Sequence, residues 1–341
     1  MAITAPSDNA TSPAGLLLAP LGWLMRAIEV PMAWLQRRAG YGGVIVVLLA
    51  PNMLVFGMFV LLPMALNVVY SFTGGPAIFL ENRTFVGLGQ YRTLFDCANY
   101  LEPLTCRQDA FWRAVHNTAF FVLAQVTALV IVSLVTALVL NREMRARGFW
   151  RAVFFFPVLL SPVVVALIWK WVLQREGLLN AVLAEFGAKP ILWLAEPGWA
   201  MFWAVFVSIW AHLGFYTLIL LAGLQAIPRD VYEAAEMDGT RPLRIFRRIT
   251  LPLLMPTLVV VIILALIRAV QVFDEVFVLT GGGPGSSTLF LTQYIYQTGF
   301  ADRIRNLGLA ASASIAMGIV LVVLTSAQLI VSAWRERRER A

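Results

Sequence analysis

Six stretches of this chain are each apolar over about the length that a helix needs to cross the hydrocarbon of a bilayer, roughly 20 residues. They fall at about residues 44–70, 114–140, 152–173, 199–224, 251–272 and 307–334. In lipid every backbone N–H and C=O must be satisfied within the protein, and a helix does this from its own segment. With 60% hydrophobic residues, 13% charged residues and a mean hydropathy of +0.79, the 341-residue chain lies outside the range of soluble domains. The fold class that follows is an all-α polytopic membrane protein with six transmembrane helices.

Arginine sets the orientation. Of the 26 basic residues only Lys170 and Lys189 are lysine, and the arginines stand in blocks beside the apolar runs. Arg37 and Arg38 precede the first run, four arginines lie at 142–151, five at 229–248 and four follow residue 334. All fall on one side if both termini are cytoplasmic, which is the positive-inside pattern. The net charge of +7 is thereby a membrane signature, and a nucleic-acid partner is not expected. The organisation predicted is a cytoplasmic tail over 1–43, a first transmembrane helix over 44–71 and an extracytoplasmic loop over 72–112. A five-helix core over 113–334 and a basic tail over 335–341 complete it. No secretory signal peptide is expected. Residues 15–38 are interrupted by Pro20, Arg26, Glu29 and Pro31, and read as an interfacial amphipathic helix; an additional span is the alternative. Cys97 and Cys106, the only cysteines, both fall in the first extracytoplasmic loop, where an oxidising environment favours a disulfide over two free thiols.

Catalytic chemistry is missing. With His116 and His212 alone, neither a histidine-based triad nor a metal cage can be assembled, and no metal site is expected. The run 281–288 (GGGPGSST) lacks the lysine of a phosphate-binding loop and lies on the extracytoplasmic side, so it reads as a flexible hinge. The chain is not expected to be an enzyme or to hold a cofactor. Polar side chains within the spans are costly unless they face a cavity or a partner. Ser161, Trp210, His212, Tyr216, Gln271, Phe273 and Asp274 are the candidates for a path taken by a hydroxyl-rich solute. At helical spacing Arg268, Gln271 and Glu275 share a face, which allows an arginine–carboxylate pair or a structural polar clamp.

One cytoplasmic stretch is charged where the rest is apolar. Asp230 and Glu233 read as a capping pair and Gly239 as a helix stop, giving a short helix over 230–240. Val231, Ala234 and Ala235 form a small apolar stripe. So short a helix is unstable alone and needs a partner to pack against.

This stretch resembles the coupling-helix motif, Glu-Ala-Ala then Gly and later Ile-x-Leu-Pro, of permease subunits of binding-protein-dependent ABC importers. Glu233, Ala234, Ala235, Asp238, Gly239, Ile249, Leu251, Pro252 and Pro256 match it in type and spacing. The run from Phe273 (FDEVFVLTGGGP) resembles the maltose-type carbohydrate-uptake branch, and more narrowly the first of its two permeases. The runs from Phe85 (FVGLGQY) and Phe111 (FWRAVHN) are similar to that branch as well. The resemblance covers roughly 45–335, and the large extra periplasmic domain of the maltose permease is absent. It implies the type I importer permease fold in a bacterial inner membrane. It also implies a second permease, two ATPase subunits carrying ATP and Mg, and an extracytoplasmic solute-binding protein. Glu233, Ala234, Ala235, Glu236, Asp238, Gly239, Arg241, Ile249, Leu251 and Pro252 would then couple the chain to an ATPase. Arg244, Arg247 and Arg248 read as anchors to anionic membrane lipid. An ion-coupled secondary transporter of a polar solute is the competing reading; it predicts inverted repeats, which are not seen, and a midplane carboxylate.

Overall fold

A computed structural model describes residues 13–340, which divide between Asn67 and Val68 into two compact units. In the first, α1 (Pro13–Phe56) is helical throughout except at Gly40, whose φ of 66° and ψ of −168° no other residue type adopts easily. The tail expected to lie on the membrane is thus helical from Pro13 and parted from the first span by a kink; its first twelve residues lie outside the described residues. Beyond the kink, side chains such as Leu48, Leu54 and Phe59 are exposed, as lipid-facing side chains are. A π turn over Gly57–Leu61 leads into α2 (Leu62–Ser71). It ends two residues before Pro63, and a second π turn, Phe246–Thr250, ends two residues before Pro252. A proline has no N–H to offer the preceding turn, and a wider turn accommodates the loss.

In the second unit the segment expected as a loop is folded. Strand β1 (Thr73–Gly74) pairs antiparallel with β2 (Thr84–Phe85), Thr73 opposite Phe85. Buried Arg83 donates to the Thr73 hydroxyl at 2.7 Å and the Ala77 carbonyl at 2.5 Å, and burial lowers its pKa from the usual arginine value. Helix α3 (Gly89–Phe95) follows, and then a loop closed by a disulfide between Cys97 and Cys106. Tyr100 on that loop packs against Trp112 at 4.8 Å, and the Trp112 indole donates to the Leu94 carbonyl. Helix α4 (Asp109–Asn141) therefore starts inside the predicted loop, with Phe111 and Ala114 already buried.

The predicted third span is not straight. Helix α5 (Arg147–Phe155) runs through a 3-10 turn (Phe156–Leu159) to α6 (Pro162–Val172), and the two halves meet at 100°. Ser161 is extended, the conformation that Pro162 favours for the residue before it, and Leu160 is extended as well. Helix α7 (Leu178–Glu185) is pinned by buried Asn180, whose amide bonds Ile191 in both directions. Then come α8 (Pro197–Gln225), α9 (Arg229–Met237), α10 (Pro242–Ile245), α11 (Leu251–Val270), α12 (Asp274–Thr280), α13 (Leu291–Tyr296) and α14 (Leu307–Arg340). Among the described residues five helices are long and apolar enough to cross a membrane, and six when the bent pair counts as one. The basic tail from Arg335 continues α14.

Helix α8 is the centre of this unit, with half of its most apolar stretch buried. Leu129 and Leu140 of α4, Leu220 and Leu224 of α8, and Leu254 and Leu258 of α11 form one core cluster. Within a bilayer apolar side chains gain little by leaving lipid, so close backbone approach at small residues carries the packing. Gly214 shows this: a Cβ there would stand 2.4 Å from the Phe154 carbonyl oxygen and 2.7 Å from the Phe155 Cα. Gly223 meets Thr257 of α11 as closely, at 2.6 Å.

Candidate functional site

Two regions carry the polar chemistry. The first follows α8. Ile227 is buried in the core cluster, and Pro228, with φ −58° and ψ 138°, turns the chain into α9. The helix is thus entered one residue earlier than expected. Asp230 lies in its first turn, where its charge suits the helix dipole, and makes no capping bond. The C-terminus is closed as the sequence implies. Gly239 has φ 66°, its N–H reaches the Glu236 carbonyl at 2.9 Å, and the Thr240 N–H reaches that of Ala235 at 3.0 Å. This bond pair satisfies two otherwise orphaned carbonyls. The expected apolar stripe divides: Ala235 is buried against the chain, whereas Val231 and Ala234 face outward with Glu233, Glu236, Met237 and Asp238. The Tyr232 hydroxyl donates to Thr250 at 3.2 Å and ties the helix back to the base of α11. Arg241 caps the entrance of α10, Ile249 lies in the π turn, and Leu251 and Pro252 open α11.

The second region is an interruption at the end of the predicted fifth span. Helix α11 ends at Val270 and α12 starts at Asp274, with Phe273 at φ −143° and ψ −65°. The freed Val272 carbonyl accepts from the Thr292 hydroxyl. Buried Glu275 accepts from the Ser208 hydroxyl at 3.3 Å, which sets the break against the middle of α8. One turn on, His212 Nδ1–H donates to the Ser208 carbonyl at 2.7 Å, since a carbonyl only accepts; Nε2 is left for another partner.

Two cavities share Leu264 and Arg268 of α11, and one of them is lined by the break. One, about 240 Å3, is lined by Arg268, Gln271, Phe273, Asp274 and Glu275 among others. The other, about 380 Å3, is lined by Val158, Leu160, Pro162, His212, Tyr216 and Arg268 among others. Five of the seven path candidates are thereby brought together. Two are not: Ser161 lies between two lining residues without lining the cavity itself, and Trp210 turns toward Trp169, ring centroids 5.6 Å apart. The predicted shared face of Arg268 and Glu275 does not exist, because the helix stops between them. Among the described residues Arg268 makes no ion pair, and Glu275 is held by Ser208 instead. Arg268 and Glu275 were visible as polar residues in an apolar run; what was not visible is that a break places them on cavities and on α8.

The run 281–288 is also more ordered than a hinge. Thr288 is fully buried within hydrogen-bonding reach of the Thr280 hydroxyl and Gly283 carbonyl, and the Asn117 amide donates to the carbonyls of Ser286 and Leu289. Glycine permits the turns at Gly281, Gly282 and Gly285, all at positive φ, while side chains from α4 fix them.

Bent and broken apolar helices around polar cavities, with a short charged helix outside the spans, define a multi-pass membrane transport subunit. Residues 129–340 match the family described as "Binding-protein-dependent transport system inner membrane component". The trehalose/maltose transport system permease protein MalF of Thermococcus litoralis is 36% identical over 242 residues, 71% of this chain and 78% of that protein. The sulfoquinovosyl glycerol transport system permease protein SmoG of Agrobacterium fabrum is 35% identical over 259 residues, 74% of this chain and 79% of that protein. The fold matches that of a solved bacterial ABC transporter involved in importing the acidic polysaccharide alginate. That match has a TM-score of 0.72 and 23% identity, and covers 85% of this chain and 95% of the other. The chain belongs to this family of permeases, with the type I importer fold, as a multi-pass component of the inner membrane.

Proposed function

We propose that this chain forms, with a second permease, the membrane path for a sugar, oligosaccharide or polyol delivered by an extracytoplasmic solute-binding protein. Both termini are cytoplasmic, which puts α9 beside the ATPases and the disulfide-closed segment on the side of the binding protein. The carbohydrate class rests on the relatives named above. The observation that carries the path is the break at 271–273: it opens polar groups onto one cavity, which shares Leu264 and Arg268 with a second beside His212 and Tyr216. His212, Tyr216, Gln271, Phe273 and Asp274 offer hydrogen bonds and aromatic faces there, and Arg268 belongs with them. Two ATPase subunits supply the energy, and ATP and Mg are held by them, not by this chain. The outward face of α9, with Glu233, Ala234 and Glu236, docks on one of them. Asp238, Gly239, Arg241, Ile249, Leu251 and Pro252 set the helix on its base, so that it moves as a lever. The helix before Gly40 lies along the cytoplasmic membrane surface.

The test is uptake into proteoliposomes containing the whole complex. Uptake should require ATP and the ATPase subunits; uptake that runs without them and collapses with an uncoupler would establish the ion-coupled alternative. Gly239→Pro cannot adopt φ 66° and removes the N–H that bonds Glu236, so it should abolish uptake while the chain still inserts. Glu233→Lys should do the same through the docking face. Normal uptake and normal co-purification of the ATPase in both variants would refute the docking.

A further inference from the structure

The bent third span is attached to α8 at a second place besides Gly214. With its amide oriented to satisfy its neighbours, Gln225 Oε1 accepts from Arg147 Nη2 at 3.0 Å and from Arg151 Nη2 at 2.9 Å. Both arginines belong to α5, and Gln225 is the last residue of α8. Arg147 also donates through Nε to the Leu140 carbonyl at 2.7 Å and through Nη2 to that of Asn141 at 3.5 Å. It therefore binds two of the carbonyls that the end of α4 leaves without partners, where a cation is also favoured by the helix dipole. Arg151 has no such second anchor: its Nε is buried without a partner among the described residues. Gln225 is thus the group on which both guanidinium ions converge.

The position of this clasp matters more than its strength. Only residues 226–228 separate Gln225 from α9, and they are not slack. The Ala226 N–H bonds the Ala222 carbonyl, Ile227 is buried, and Pro228 fixes the turn. In the other direction α5 runs straight into the 3-10 turn whose Val158, with Leu160 just beyond it, lines the larger cavity. Gly214 and Gln225 are about 16 Å apart along α8 at ~1.5 Å per residue. Two attachments so far apart prevent α5 from pivoting on α8, whereas one would leave it free to rock.

We propose that Gln225 is a positioning residue that makes α5 follow α8 and α9, so that displacement of α9 reaches the cavity wall at Val158 and Leu160. This rests on the reading that α9 receives the force from the ATPase. Without the clasp α9 can still dock and ATP can still be hydrolysed, but the cavity wall no longer follows.

The measurement is uptake per ATP hydrolysed, in proteoliposomes holding the full complex and supplied with solute-loaded binding protein. Gln225→Leu removes the acceptor while keeping the bulk. It should lower the ratio at least about fivefold, the scale of one lost charge-assisted hydrogen bond, with the ATPase still bound. Gln225→Glu still accepts from both arginines and should stay within about twofold of wild type. Arg151→Ala, which leaves the bonds of Arg147 to the end of α4 in place, should lower the ratio in the same direction, and adding it to Gln225→Leu should lower it no further. A wild-type ratio in Gln225→Leu, or a loss in Gln225→Glu as large, overturns the proposal. If Gln225→Leu does not assemble, the pair Arg151→Cys, Gln225→Cys decides: bridging it with a short bis-maleimide should restore the ratio, and no change on bridging overturns the clasp. Gly239→Pro, assayed alongside, separates the two readings. If it transports normally, the force-receiving role of α9 fails; if it is inactive while Gln225→Leu is fully coupled, only the clasp fails.

Discussion

Between Phe155 and Pro162 the third span turns through 100°, and between Val270 and Asp274 the fifth stops and restarts. The two interruptions have different causes. The first has a local cause: Pro157 and Pro162 stand in the turn, and Ser161 is extended, as suits the residue before a proline. The surface it gives the larger cavity, Val158, Leu160 and Pro162, is apolar. The second contains no proline. It is held by side chains from elsewhere, the Thr292 hydroxyl on the Val272 carbonyl and the Ser208 hydroxyl on Glu275. It exposes Arg268, Gln271 and Asp274. A break that its own prolines favour, and that packs on one helix on both sides of the turn, is held twice over. A break set by hydrogen bonds to other helices changes when those helices move. On the proposed function, the fifth span is then the one expected to rearrange around a solute, and the third a rigid wall.

Substitutions at five positions test this contrast. The largest effect should come at Gly214, where the rigid wall lies on α8. Gly214→Leu places a side chain where even a Cβ would be 2.4 Å from the Phe154 carbonyl oxygen. Backbone cannot yield as a side-chain tip can, and a cost above about 3 kcal/mol is expected. Little or no assembled complex should be recovered from membranes; normal recovery would show that the wall is not fixed there. Next, the two breaks should differ in what they do to solute. Asp274→Ala should reduce uptake about tenfold or more, equivalent to ~1.4 kcal/mol, with solute binding to the free binding protein unchanged. Leu160→Ala, on the apolar break, should change uptake less than about threefold. Equal losses at both positions would erase the distinction.

The same contrast explains what was legible beforehand. Helices, their order and the arginine-rich side follow from apolar run length and charge placement, which are local properties. The end of α9 was legible because Gly239 is the residue that a left-handed C-terminus prefers. Its beginning was displaced by one residue because Pro228, not Asp230, turns the chain in. The prolines of the third span were visible, but not the angle they produce. The span was read as ending at about 272, close to the break; that a second helix starts again at Asp274, held by Ser208 and Thr292, was not legible. Five of the seven path candidates line one or other cavity, and they were picked out because polar groups in apolar runs are few. Arg268 and Glu275 were misassigned to each other because their spacing was counted through a helix that does not continue. The run 281–288 was misread for a similar reason, since the residues that tie it down, Arg113 and Asn117, lie on α4.

A smaller effect is expected where the second break is pinned. Ser208→Ala leaves buried Glu275 without the hydroxyl that holds it, at a cost of about 1–3 kcal/mol. The thermal midpoint of the purified complex in detergent should fall by a few degrees, and uptake should fall with it. Ser208→Thr keeps the hydroxyl and should restore both. A restored midpoint with uptake still impaired would show that the extra methyl, and not the hydrogen bond, controls the cavity.

The smallest effect should follow from loosening the first break. Pro162→Ala restores an N–H and releases Ser161 from its restriction, so α5 and α6 are then free, locally, to join into one straight helix. They should not do so. Phe154 and Phe155 remain pressed on Gly214, and Val165 and Ala166 of α6 remain buried in a cluster with Val207 and Ala211 of α8. What is lost is chiefly the restriction that proline places on the unfolded chain, about 0.4–1 kcal/mol. Uptake within about twofold of wild type, with a midpoint lower by a degree or two, is therefore expected. A collapse of uptake would mean that the proline, and not the packing on α8, keeps the wall bent during transport. The third span would then depend on one residue as delicately as the fifth depends on its hydrogen bonds.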